Sequence, residues 1–317
     1  MRALSPTATG ILCLLAGIAI FSVQDLILKL LSGDYPLHQA MVIRSLIAMP
    51  FLLWIVHAFD GSLATIATRG WGKMLARGLL NFVAYTAYYL GLAALPMAET
   101  VALFFTGPLF ITLSAALLLR EKVPPAAALA VAAGFAGVLL IVRPGAEGLS
   151  WTVALPILGA AGYALSMISA RALGRTESAA AMAFWSNACF LICALLLSAI
   201  WGGGAYEGTS DPALAFLTRG WVMPSLWDLG LMAACGGIAA IGLTLLTQAY
   251  RAAPSSTVAP FEYSFMFWGV LWGWIFWHEM PDAIAWAGIA VIIGAGLYVI
   301  RQPEAAKEKA APEGAAP

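Results

Sequence analysis

A carboxylate set inside an apolar stretch is the clearest sign of chemistry in this chain. Glu262 lies a few residues into TVAPFEYSFMFWGVLWGWIFWHEMP, residues 257–281. Within a bilayer an ionised side chain costs about 2.5–3.5 kcal/mol on insertion scales, so it needs a partner, a wet cavity or a proton. Two roles fit Glu262: proton carrier, or contact for a solute. Asp25 raises the same question nearer the N-terminus. It stands four residues before Lys29, so the two share one helical face and either neutralise each other or leave Asp25 for function while Lys29 reaches outward. Arg44 is the third such group. It can pair with Asp25 or Glu99, anchor its helix, or hold a solute carboxylate or phosphate through its planar fork.

Around these charges stand neutral polar and aromatic residues at helical spacing. Asn81, Tyr85 and Tyr88 share one face, which is either a cavity lining or an interfacial tyrosine belt. Thr244 and Gln248 repeat the theme more weakly, as do Tyr163 with Ser166 and Trp185 with Asn187. The stretch carrying Glu262 separates into two stripes. Glu262, Met266, Gly269 and Gly273 form one that reads as a cavity wall, whereas Phe261, Phe265, Trp268 and Trp272 form one expected to face lipid rather than stack on a flat solute.

The elements that position these residues follow from composition. With 62% hydrophobic residues, 10% charged residues and a mean hydropathy of +0.89, the chain is an integral membrane protein. A net charge of zero and the absence of a basic run argue against nucleic acid as a partner. Cys13, Cys189, Cys193 and Cys235 lie within apolar stretches, without metal-ligand spacing, and read as packing residues. At about 20 residues per crossing the chain divides into ten spans, near 8–31, 38–56, 75–94, 98–119, 124–142, 151–170, 179–201, 227–250, 257–277 and 283–300. The connections at 57–74 and 202–226 are the longer ones, and residues 304–317 form a polar, Ala/Pro-rich tail expected to be disordered.

One half of the chain echoes the other. Thr100-Val101-Ala102 recurs as Thr257-Val258-Ala259, and Pro96, Glu121 and Arg143 have counterparts in Pro254, Glu279 and Arg301. Both copies interrupt an apolar span, the first with Gly107-Pro108 and the second with Pro260; paired interruptions of this kind point to a transporter's substrate site. With the N-terminus inside, Arg2, Arg69, Lys73, Arg77, Arg120, Lys122, Arg171, Arg175, Arg251, Arg301, Lys307 and Lys309 fall on the cytoplasmic side. Only Arg143 and Arg219 fall outside. That bias predicts cytoplasmic termini and a cytoplasmic tail. An odd number of spans per half then inverts the second copy, giving an all-α membrane fold of two inverted five-helix repeats, 1–145 and 151–303. Gly134 and Gly137, and Gly288, Gly294 and Gly296, suit close helix packing in spans five and ten, as structural or dimerising elements of a homodimer.

The two closing stretches, TVALFFTGPLFITLSAALLLREKV and TVAPFEYSFMFWGVLWGWIFWHEMP, resemble those of the drug/metabolite transporter superfamily, EamA type, over about residues 8–303. The resemblance implies a central cavity bordered by the spans carrying Gly107-Pro108 and Glu262, together with spans one to three and six to eight. It implies a secondary transporter of the inner membrane that moves a small organic metabolite by alternating access, with a proton as the co-ion and no cofactor. The candidates for contact with the substrate are the polar residues of these spans, Asp25, Arg44, Asn81, Tyr85, Tyr88, Gln248, Glu262 and Tyr263. Many relatives place a proline after the span-nine glutamate; here Tyr263 follows Glu262, which implies a less broken backbone. The halves look most similar to the branch with riboflavin and S-adenosylmethionine carriers, so a vitamin such as riboflavin is the expected substrate, and S-adenosylmethionine, an amino acid or another metabolite the alternative. The sequence carries no nucleotide-binding loop, and His38, His57 and His278 stand at span ends outside any hydrolase motif, so neither ATP-driven transport nor an intramembrane enzyme is expected. A membrane scaffold would leave Glu262 and Asp25 without a purpose.

Overall fold

The computed structural model describes residues 5–120, 123, 125–142 and 151–278, with 280, 282–284, 286–291, 294–295 and 298 beyond them. Local chemistry starts and stops its helices. The Ser5 hydroxyl accepts the Ala8 N–H and Pro6 occupies the first turn of α1, Pro6–Leu31. Helix α2, Leu37–Asp60, follows Pro36, tolerates Pro50 within it and ends at Gly61, whose φ of 74° a side chain would resist. Helix α3 spans Trp71–Ala94. After α6, Pro125–Val142, and α7, Ala154–Leu173, the Ser178 hydroxyl caps α8, Ala179–Trp201. Asp211 caps the short α9, Pro212–Thr218, which gives the connection at 202–226 a helix of its own, and Ser225 caps α10, Leu226–Ala252.

Both expected interruptions are present. The first apolar stretch splits into α4, Met97–Phe104, and α5, Gly107–Leu118, on either side of Phe105 and Thr106. The second begins as α11, Ser255–Val258, tightens into a 3-10 run over Ala259–Ser264 and resumes as α12, Phe265–Trp277. Tyr263 in place of a proline therefore does not restore a regular backbone. Glu262 and Tyr263 both lie in the 3-10 run, where side chains three apart eclipse and the hydrogen-bond geometry is poorer.

Among the described residues, six helical segments are by themselves long and apolar enough to cross a bilayer, against the ten spans expected. Helix α3 is as long as α2 but carries Lys73, Arg77, Asn81 and three tyrosines; α12 has 13 residues, and 283–300 lies partly outside the described residues. The repeat boundaries at 145 and 303 and the tail 304–317 lie outside them too.

The most extensive contacts pair α1 with α10, α3 with α7, and α2 with α8 and α10. Small residues allow these approaches. A Cβ on Gly17 would lie 2.9 Å from Leu246, and one on Gly159 would lie 2.9 Å from the Ala84 carbonyl. Outward-facing residues such as Leu46, Phe51, Trp54, Leu117 and Leu196 present the apolar exterior that lipid requires. At one end of the bundle the Ser178 hydroxyl donates to Asp60, the Thr68 hydroxyl to Glu177, and the Arg251 guanidinium to the Glu177 carbonyl. At the other, Gln39 exchanges two hydrogen bonds with the Val222 backbone, Tyr35 donates to Asp228 at 2.8 Å, and Arg219 donates to the Ser32 and Tyr35 carbonyls.

Candidate functional site

A cavity lies inside this bundle, walled by Phe21 and Asp25 from α1, Tyr85 and Tyr88 from α3, Phe104 from the end of α4, Tyr163 from α7, Leu246 from α10, and Glu262 and Phe265 at the second interruption. Centres of water-sized spheres can occupy about 40 Å³ of it, several times the roughly 10–15 Å³ one water needs. Phe104 holds the aromatic part of the wall together, its ring meeting Tyr88 at 4.9 Å and Tyr163 at 5.5 Å. It can do so because α4 ends there: the break that starts α5 leaves Phe104 at a free helix terminus directed at the cavity.

Each carboxylate is held by tyrosines from its own half of the sequence. Oε1 of Glu262 accepts from the Tyr163 hydroxyl at 2.8 Å and the Tyr250 hydroxyl at 2.7 Å. Asp25 accepts from Tyr88 at 3.3 Å. Next to Asp25, the Gln24 amide links Tyr89 to Arg44. With its oxygen turned to accept from both, Arg44 Nη1 stands 3.2 Å away and the amide nitrogen donates to the Cys235 carbonyl at 3.2 Å. The Arg44 guanidinium also lies 4.8 Å over the Phe190 ring.

The predicted set is thus partly gathered and partly dispersed. Asp25, Tyr85, Tyr88 and Glu262 line the cavity. Arg44 is buried one layer behind the wall and hydrogen-bonds to Gln24 of α1 instead of to Asp25, on which it acts through its charge alone. Asn81 is turned to Ser186 at 3.2 Å. Gln248 is half-buried away from the cavity lining. Tyr263 points the other way round the 3-10 run, against Phe105 and into the space left by Gly134 of α6, so Gly134 is needed for this ring. Lys29 neither floats outward nor neutralises Asp25 by a hydrogen bond; it donates to the Leu92 and Leu95 carbonyls and so closes the C-terminus of α3.

The stripes of the Glu262 stretch also sort differently from expectation. Met266 and Gly273 are buried and Gly269 packs on Val101 of α4, so that face is a helix contact rather than a cavity wall. Phe265 lines the cavity, and Trp272, stacked on Trp268, donates to Ser22 of α1 at 3.1 Å. The outer face is that of Phe267, Trp274 and Phe276.

Arg77 is the larger surprise. Read as a cytoplasmic interfacial cation, it is instead fully buried two turns into α3. It donates to the Ser186 hydroxyl and Met182 carbonyl of α8, and to Thr247 of α10 at 2.9 Å. Gln24, Tyr89 and Tyr250 were likewise not singled out by spacing. For Arg77 the available signal was its place four residues before Asn81 on one helical face; Gln24, Tyr89 and Tyr250 have no charged residue three or four positions away, and only the packing brings them to the site.

Comparison with known proteins agrees with this architecture. The EamA-like transporter family matches residues 8–143. A riboflavin transporter of Rhizobium johnstonii is 31% identical over 287 residues, covering 90% of this chain and 89% of its own. The pseudopaline exporter of Pseudomonas aeruginosa is 26% identical over 295 residues, covering 92% and 96%. A solved crystal structure superposes with a TM-score of 0.70 across 92% of this chain and 96% of its own at 16% identity, which is a likeness of fold. An all-α multispanning membrane protein, similar over nearly its whole length to carriers of small molecules, is a secondary transporter and no enzyme. The chain belongs to the EamA-like transporter family.

Proposed function

We propose that the protein carries a flat vitamin or cofactor-like metabolite, with riboflavin as the leading candidate, across the bacterial inner membrane by alternating access. The observation that carries this reading is the cavity itself, where Tyr85, Tyr88, Phe104, Tyr163 and Phe265 offer ring faces and Asp25 and Glu262 offer acceptors. Isoalloxazine-like solutes are flat, apolar over their faces and hydrogen-bonding at their edges, which is what such a wall recognises. The riboflavin transporter named above supports the same substrate; the pseudopaline exporter supports a different metabolite and outward flux.

The reading includes ten spans in two inverted five-helix repeats. In its support, the contact pattern is conserved when spans of one half are exchanged for those of the other. Helix α1 on α10 corresponds to α7 on α3, α2 on α10 to α8 on α3, and α5 on α7 to α12 on α1. Cytoplasmic termini are supported by Arg69, Arg175 and Arg251, which gather at one end of the bundle. Rocking the halves would alternately break the bonds that join them, Arg77 to Ser186 and Thr247 near the cytoplasmic end, Gln39 to Val222 and Tyr35 to Asp228 at the other. Drug-sized solutes occupy pockets of roughly 300–1,000 Å³, so this cavity must widen to load one, and the rocking supplies that movement. Glu262 is the proton carrier in this scheme, and a homodimer through α6 and the last span completes it.

The test is uptake of radiolabelled riboflavin into proteoliposomes, with and without an imposed proton gradient. Accumulation that follows the gradient supports both substrate and coupling; no flavin flux under any gradient removes the substrate, and a null response to the gradient removes the coupling. Crosslinking in native membranes tests the dimer.

A further inference from the structure

Two carboxyl groups stand in the wall of the cavity, Asp25 and Glu262, and among the described residues that line it there is no Lys, Arg or His. Two buried guanidiniums stand behind the wall, Arg44 bonded to Gln24 and set over the Phe190 face with its charge still acting on Asp25, and Arg77 bonded to Ser186, Met182 and Thr247. The acids also have unused acceptor capacity. Both tyrosines that bind Glu262 share Oε1, which leaves Oε2 with no donor among the described residues, and the Tyr88 bond to Asp25 is long at 3.3 Å.

We infer that the cavity selects its solute by charge, accepting flat heteroaromatic molecules that bring hydrogen-bond donors and are neutral or cationic, and refusing those that carry phosphate or carboxylate. The inference rests on the carrier reading of this cavity. A neutral solute with hydroxyl or ring N–H groups fills the open acceptor positions while its faces pack on Tyr85, Tyr88, Phe104, Tyr163 and Phe265. An anion brought to the same place meets the two acids first, because the guanidiniums of Arg44 and Arg77 stand behind the wall on other acceptors. Riboflavin fits this rule; its 5′-phosphate breaks it, although the ring system is the same.

The experiment is a charge-graded panel on the purified full chain in proteoliposomes: riboflavin as the neutral probe, flavin mononucleotide as the anionic one and proflavine as the cationic one, each followed as uptake and as competition for bound probe. Riboflavin should be favoured over flavin mononucleotide by about tenfold or more, equivalent to about 1.4 kcal/mol. Asp25→Asn and Glu262→Gln should each narrow that ratio. Equal handling of the two flavins overturns charge selection while leaving the flavin reading in place. Binding of proflavine with neither flavin bound overturns riboflavin as substrate and retains the charge rule. Absence of binding by all three overturns both, and if the variants fail to fold, the wild-type ratio still decides.

Discussion

The Tyr250 hydroxyl, at the last turn of α10, donates to Oε1 of Glu262 at 2.7 Å, so the helix is bound to the 3-10 run that follows it just where the second apolar stretch is broken. Tyr163 adds a second donor to the same oxygen. The carboxylate is thereby held in the cavity wall by residues of its own half of the sequence.

Glu262→Gln keeps the shape of this site and removes its charge. Hydrogen bonds to charged groups contribute about 1.5–3 kcal/mol, so transport should fall by roughly ten- to a hundredfold while expression and elution volume are kept. Tyr250→Phe and Tyr163→Phe should each give a smaller loss. Uptake by Glu262→Gln at the wild-type rate would remove this carboxylate from the mechanism.

Tyr263 serves as the contrasting position. Its hydroxyl is buried with no partner among the described residues, and its ring packs on Phe105 away from the cavity. Tyr263→Phe should therefore leave flux unchanged and hold or raise the detergent melting temperature, since an unsatisfied buried hydroxyl costs about 1–3 kcal/mol. Reduced flux with unchanged melting would return Tyr263 to the substrate set.

Arg77 has no carboxylate beside it among the described residues and depends on neutral acceptors of α8 and α10. Ser186→Ala takes away an acceptor of both Arg77 and Asn81. We expect a loss of about 1–3 kcal/mol in stability, read as a lower melting temperature, and non-additivity with Arg77→Lys in a double-mutant cycle. Additive effects would mean that the two side chains do not act as a unit.

Gly159→Leu tests the close approach of α7 to α3. Its Cβ would stand 2.9 Å from the Ala84 carbonyl and 3.2 Å from the Tyr88 Cβ, so the helices must part and carry Tyr88 away from Asp25. Melting should drop by an amount equivalent to about 1–3 kcal/mol, and uptake with it. An unshifted melting curve would contradict the packing.

Topology is open to labelling. With Cys13, Cys189, Cys193 and Cys235 replaced, single cysteines at Arg120 and His278 should react with an impermeant maleimide from opposite faces of the membrane. Reaction from the same face would contradict the inverted count of spans.

What the sequence determined alone was the class of molecule and the places where its helices break. A bilayer imposes a minimum apolar length and forbids unsatisfied backbone, so hydropathy by itself locates crossing segments, while Gly107-Pro108 and Pro260 remove or free backbone donors wherever they fall. Asp25, Tyr85, Tyr88 and Glu262 were legible for a related reason, since polar side chains in apolar runs have few places to go. Rotation about each helix axis was not legible. Whether Phe265 or Met266 meets the cavity, whether Tyr263 turns toward Gly134, and whether Arg77 reaches water or Ser186 depend on which helix lies alongside, and residues from both ends of the chain decide that together. Only the tertiary packing of α1, α3, α4, α7 and α10 around the second break put two carboxylates and six aromatic rings on a single wall.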